Sequence, residues 1–130
     1  MIDEHYQIGE VADSVGLSLR TIRYYEEIGL VTPSGRTEGG FRLYTDSDVD
    51  RLRLVKALKP VGMSLETMGE LLEAADQVAG SSDIDRSKAE SRLEAVLAVA
   101  MERCDQLEER LAEARQVLSE IAGSPARGGR

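Results

Sequence analysis

Tryptophan is absent from this sequence, and cysteine, histidine and phenylalanine occur once each. A single thiol, Cys104, forms no intrachain disulfide and cannot assemble a four-thiolate zinc or iron–sulfur site. The one histidine, His5, lies close to the N-terminus, and no nucleophile–base–orienter set is present, so hydrolytic or group-transfer catalysis is not expected. Gly39-Gly40 reads as a turn, since no phosphate-loop helix follows it, and no cofactor is expected. Apolar runs of about 18 residues are missing, which leaves no membrane span. The first residues, MIDEHYQ, are acidic and lack the basic-then-apolar order of a secretory signal. These absences together point to the cytoplasm. Aromatics make up only 4% against 31% charged residues, a balance that favours surface helices over a large core.

Basic charge is also scarce: the formal net charge is −8. Its distribution is uneven. Residues 1–17 carry −4, residues 18–60 carry +2 and residues 61–130 carry −6. Affinity for nucleic acid comes from local Lys and Arg that displace counterions, so the middle block is the one suited to a phosphate backbone.

Ile8, Val11, Ala12 and Val15 recur at helical spacing and are followed by Gly16, which predicts a short first helix with a glycine C-cap. Ser18 is placed as an N-cap before a second stripe, Leu19, Ile22, Tyr25 and Ile28, closed by Gly29. Two short helices around a glycine-bearing turn form a helix-turn-helix over about 8–28, although an ordinary helical hairpin has the same pattern. Residues 32–45 are rich in turn formers, and Phe41-Arg42-Leu43-Tyr44 alternates apolar with polar. They predict a two-stranded wing carrying Arg36 and Arg42. Thr45 with Asp48 resembles a capping box ahead of Val49, Leu52, Val55 and Leu58. Ser64 caps a fourth helix faced by Leu65, Met68, Leu71 and Leu72. Lys56 and Lys59 read as a solvated helix face or as an extension of the basic footprint.

Residues 77–84 are small and polar and predict a linker after a head spanning 1–76. From 85 to 121 the chain is strongly periodic. Leu93, Leu97, Ala100, Cys104, Leu107, Leu111, Ala114, Leu118 and Ile121 alternate in steps of four and three, the a and d positions of a coiled coil. Nothing else in the chain is long enough to cover such a stripe, which argues for a second copy. Residues 122–130 predict a disordered tail. The fold class expected is therefore mainly α: a winged helix-turn-helix, a helix pair and a long dimerisation helix.

The segments IGEVADSVGLSLRTIRYYEEIGLVTP and RTEGGFRLYTDSDVDRL, in this order ahead of a long helix, resemble the MerR family of bacterial transcription regulators. The resemblance runs from residue 6 to about 121. It implies a homodimer with antiparallel long helices, seated on a palindromic promoter in double-stranded DNA. There it distorts an overlong spacer for RNA polymerase, a form of indirect readout. It also implies site residues. The recognition helix, with Ser18 at its start, presents Arg20, Thr21 and Arg23 to the major groove, where arginine reads guanine or binds phosphate. Tyr24 or Tyr25 contacts the DNA backbone, one exposed and one packed. Arg36, Arg42 and Tyr44 grip phosphate from the wing.

The sequence departs from the family's metal sensors, which resemble it up to the long helix and then use a cysteine at that helix's start. Here the start holds Ser82 and Asp83, and the segment after the helix has neither cysteine nor histidine. The large ligand domain of drug-sensing members is not expected within these 130 residues. The effector is therefore left open. Cys104 reads as a small hydrophobe in the seam, or alternatively as a redox-sensing thiol beside Arg103. A coiled-coil adaptor that binds protein instead of DNA is the remaining alternative.

Overall fold

The computed structural model describes residues 5–123. In chain order the elements are β1 (Tyr6–Gln7), α1 (Ile8–Val15), α2 (Leu19–Glu27), β2 (Gly35–Arg36), β3 (Arg42–Tyr44), α3 (Asp46–Leu58), α4 (Leu65–Gly80) and α5 (Asp83–Gly123).

Capping chemistry sets the helix starts. The side chains of Ser18, Thr45 and Ser64 each accept a backbone N–H three residues on. Thr45 and Asp48 close a reciprocal capping box, with Asp doing what Glu usually does. Two glycines are required by both conformation and space. Gly16 ends α1 at φ +78°, and Lys56 Nζ stands 2.5 Å from where its Cβ would be. Gly62, at φ +79° in the α3–α4 turn, faces the Arg103 guanidinium, 2.8 Å from the same notional atom.

The core of the head gathers Val11, Ala12 and Val15 from α1, Ile22 and Tyr25 from α2, Val49, Leu52 and Val55 from α3, and Met68, Leu71 and Leu72 from α4. Each fully buried aliphatic side chain contributes about 1.5–3 kcal/mol. Between helices, Lys56 donates to the carbonyl of Val15 at 2.6 Å, placing a cation at the C-terminal end of α1. Arg51 of α3 pairs with Asp76 of α4.

Three expectations are corrected. The wing is part of a three-stranded antiparallel sheet, not a two-stranded one. Its order is β1-β3-β2, with Tyr6 opposite Tyr44 and Arg36 opposite Arg42. β1 is only two residues long, too short for any alternation to show. The linker expected over 77–84 shrinks to Ser81 and Ser82, because α4 runs to Gly80 and α5 begins at Asp83. Gly80 holds a helical position where the ends of α4 and α5 pack together: Arg92 on α5 bonds to Gln77 at 2.5 Å and faces Glu73 on α4. Finally, Leu19 and Ile28 are not core. They are 40% and 43% exposed, Leu19 at the first position of α2 and Ile28 at its C-cap.

The first half of α5 lies along α4, and Val96 and Ala100 join the core of the head. Ala100 is thus buried within its own chain rather than waiting in a seam. Leu93, Cys104 and Leu107 are half-buried, while every residue from Glu108 to Gly123 is exposed. At 41 residues α5 is about 60 Å long, so its second half projects well clear of the head. The tail expected over 122–130 lies almost wholly outside the described residues. No helix among the described residues is long and apolar enough to cross a membrane.

Candidate nucleic-acid interface

α2 is fixed from beneath by Ile22 and Tyr25, which are 1% and 5% exposed. Residues three or four apart share a helix face, so burying these two turns Arg20, Arg23, Tyr24 and Glu27 outward together. Tyr24 is 47% exposed, and its ring is tilted against that of Tyr25 with centroids 5.8 Å apart. The adjacent tyrosines thus divide, one outward and one inward. Ser18 and Thr21 lie at the start of α2. The Ser18 hydroxyl accepts from the Thr21 N–H at 3.1 Å and lies 2.8 Å from the Thr21 hydroxyl. Both hydroxyls also sit at the positive end of the α2 dipole, where an anion is favoured.

Beside α2 the sheet presents the wing. Its tip, residues 37–41, is closed by Thr37, whose N–H donates to the Phe41 carbonyl and whose hydroxyl accepts from the Phe41 N–H. The side chain of Arg36 is 53% exposed and bonds the Gly40 carbonyl at 3.1 Å. Arg42 turns inward. Its Nε donates to Glu26 Oε2 at 2.6 Å, and its side chain is 31% exposed.

Two of the expected DNA-binding residues are buried in the head. Tyr25 is core. Tyr44 is fully buried, and its hydroxyl donates to Glu26 at 3.2 Å. Burial, reinforced by the Glu26 carboxylate, pushes the Tyr44 phenol up to about 12. Alternation along a three-residue strand explains the position: Tyr44 follows Arg42 on the inner side at the point where β3 is covered by β1. Ser18, Arg20, Thr21, Arg23, Tyr24 and Arg36 are brought to one side of the head, and Arg42 borders them.

Sequence reading missed Glu26, the one acid that touches Arg36, Arg42 and Tyr44. It lies in the acidic pair Glu26-Glu27, and only knowledge of which helical face meets the wing tells the two apart. Lys56 lies on an exposed helix face, as expected, and in addition serves as a helix-end partner. Cys104 is a free, half-buried thiol on α5.

The chain matches the family described as MerR HTH family regulatory protein over residues 6–75, and that described as MerR, DNA binding, over residues 49–123. It is 40% identical over 119 residues to the heavy metal-dependent transcription regulator 2 of Rhizobium meliloti (strain 1021), covering 89% of this chain and 74% of that one. It is 48% identical over 67 residues to the HTH-type transcriptional regulator ZntR of Escherichia coli (strain K12), covering 52% of this chain and 48% of that one. The chain thus spans between about half and three-quarters of the length of these two relatives. Among solved structures, it superposes with a TM-score of 0.69 on HiNmlR, a MerR family regulator lacking the sensor domain and bound to promoter DNA. That match has 28% identity and covers 89% of this chain and 80% of the other. With a helix-turn-helix that turns its arginines outward, a wing beside it and these matches along nearly its whole length, the chain belongs to the MerR family of DNA-binding transcription regulators.

Proposed function

We propose that the chain acts as a homodimer on a palindromic promoter, with α5 pairing antiparallel, and that it regulates transcription by holding the promoter spacer in a distorted form that RNA polymerase can use. Within each protomer the head of 1–76 is the reading unit and α5 the dimerisation unit. The observation that carries this reading is the uncovered stripe of α5: Leu111, Leu118 and Ile121 are 51%, 64% and 69% exposed, Leu118 one heptad beyond Leu111 and Ile121 on the next turn of a helix that outruns its own head. A leucine stripe of this length in water calls for a partner of equal length, and a second α5 supplies one. The HiNmlR complex with promoter DNA supports the same use of the head.

Contacts follow from the exposed face. Arg20 and Arg23 address the major groove, Tyr24 and the Ser18–Thr21 helix start address the backbone, and Arg36 takes a flanking phosphate. Such a protein works beside the chromosome, in the cytoplasm.

The heavy-metal dependence in the name of the Rhizobium meliloti relative is not carried over to this chain. Thiolate sites need several sulfur ligands, and this sequence has one cysteine, half-buried on α5. Among the described residues no three His, Cys, Asp or Glu side chains converge as a metal site.

Transcription in vitro from a promoter with a palindrome between its two elements tests the mechanism. Shortening the spacer one base pair at a time should abolish the protein's effect at one spacer length. An effect independent of spacer length contradicts distortion.

A further inference from the structure

Arg36 and Arg42 are register partners, directly opposite one another on neighbouring antiparallel strands. Like charges in that position repel and destabilise a sheet. The carboxylate of Glu26, reaching over from the last turn of α2, stands between them. Its Oε2 accepts from Arg42 Nε at 2.6 Å, and its Oε1 lies 3.7 Å from Arg36 Nη2. The two contacts are unequal. The Arg42 contact is a short, charge-assisted hydrogen bond to a carboxylate whose side chain is 15% exposed. The Arg36 contact is a longer ion pair, beyond hydrogen-bond length, from a guanidinium that is 53% exposed. Tyr44, fully buried, also donates to Oε2 and pins the carboxylate on the Arg42 side.

We infer that Glu26 sorts the two wing arginines: it holds Arg42 as an internal strut between wing and recognition helix, and it leaves Arg36 free to exchange its weak ion pair for a DNA phosphate. Glu26 thereby acts as a positioning residue that limits how many phosphates the wing neutralises. Fewer phosphate contacts lower the sequence-independent part of the affinity, and discrimination between cognate and random DNA rises accordingly. The inference rests on the DNA-binding reading of the wing. It adds that a pair of arginines alike in sequence does different work.

Glu26→Gln is the informative variant. The amide keeps the size of the side chain and an oxygen for Tyr44, removes the charge and turns one acceptor oxygen into an NH2 donor. The full-length protein is titrated against a random duplex by anisotropy at several salt concentrations. The expected result for Glu26→Gln is tighter binding and a steeper salt slope, by about 0.9 per protomer, one phosphate contact. Arg42→Ala alone should leave the slope unchanged, whereas Arg36→Ala should flatten it by about the same 0.9. Glu26→Gln combined with Arg42→Ala should return the slope to that of the unaltered protein, which a merely structural role for Glu26 would not produce. An unchanged slope in a folded Glu26→Gln protein overturns the inference. If Glu26→Gln does not fold, the two arginine variants decide alone, and flattening by Arg42→Ala but not by Arg36→Ala overturns it. Absence of salt-dependent binding by the unaltered protein is a distinct outcome, which removes the DNA reading and this inference together.

Discussion

The carboxylate of Asp48 accepts the hydroxyl of Ser34 at 2.5 Å, fourteen residues back along the chain. The same oxygen accepts the N–H groups of Ser34 and Thr45, at 3.1 and 2.9 Å. One buried side chain therefore ties the entry of the wing to its exit at the start of α3. Asp48→Ala leaves two backbone donors without this partner and breaks the capping box, a loss of about 2–4 kcal/mol. Urea unfolding followed by circular dichroism should show it. A loss below about 0.5 kcal/mol would mean that water replaces the carboxylate without cost.

Tyr44 predicts an alkaline limit to stability. Its phenol is held up to about 12, against 10.0 when unfolded, so between these values the folded state keeps a proton that the unfolded chain has released. The stability it confers is complete below pH 10 and lost as pH rises towards 12, at up to about 1.4 kcal/mol per pH unit. Urea midpoints of the unaltered protein and Tyr44→Phe should converge over this range. Parallel pH profiles would show that Tyr44 carries no such linkage.

The projecting half of α5 predicts a dimer that can be taken apart without unfolding the head. Leu111 and Leu118 are 51% and 64% exposed and, among the described residues, stand outside the core cluster and the hydrophobics packed on it. Aspartate at both positions would bury unpaired charges only in a paired helix, each costing several kcal/mol there. Light scattering of the double variant should give a monomer mass while the head keeps its thermal transition. A stable dimer mass would rule out pairing through this stripe.

Much of this fold was legible from the sequence because its signals are local. Ser18, Thr45 and Ser64 mark helix starts with their own side chains, Gly16 marks an end, and the apolar period of α3 and α4 marks their buried faces. What escaped depends on contacts distant in the chain. β1 exists only because Tyr6 and Gln7 find β3. The expected linker shortens to two serines where Arg92 of α5 bonds Gln77 of α4. In the site, the helical period put Tyr25 in the apolar stripe and left Tyr24 outside it, which matches their burial. It could not separate Arg36 from Arg42 or show that Tyr44 faces inward, because the wing's orientation on α2 is set by Glu26 across the fold.

Cys104, half-buried between Ala100 and Leu107, is expected to act as a packing residue. Cys104→Ala should change stability by no more than about 1–2 kcal/mol and leave DNA affinity intact under both oxidising and reducing conditions. A peroxide-dependent change in DNA affinity that disappears in the variant would assign the thiol a sensing role.

Arg20 stands on the outward face of α2, the face proposed to read DNA. It shares that face with Arg23 and Tyr24, is exposed, and makes no hydrogen bond or ion pair found among the described residues. Its loss should therefore leave folding and dimerisation untouched. Anisotropy titration of Arg20→Ala on the palindromic site and on a scrambled duplex is the measurement. The expected result is a loss of about 1–3 kcal/mol on the cognate site, with relaxed preference at one position of each half-site, if the guanidinium meets a base edge. If it meets phosphate, the loss is equal on both duplexes and the salt slope falls by about 0.9 per protomer. Unchanged affinity on both duplexes, with the dimer folded, would contradict the account.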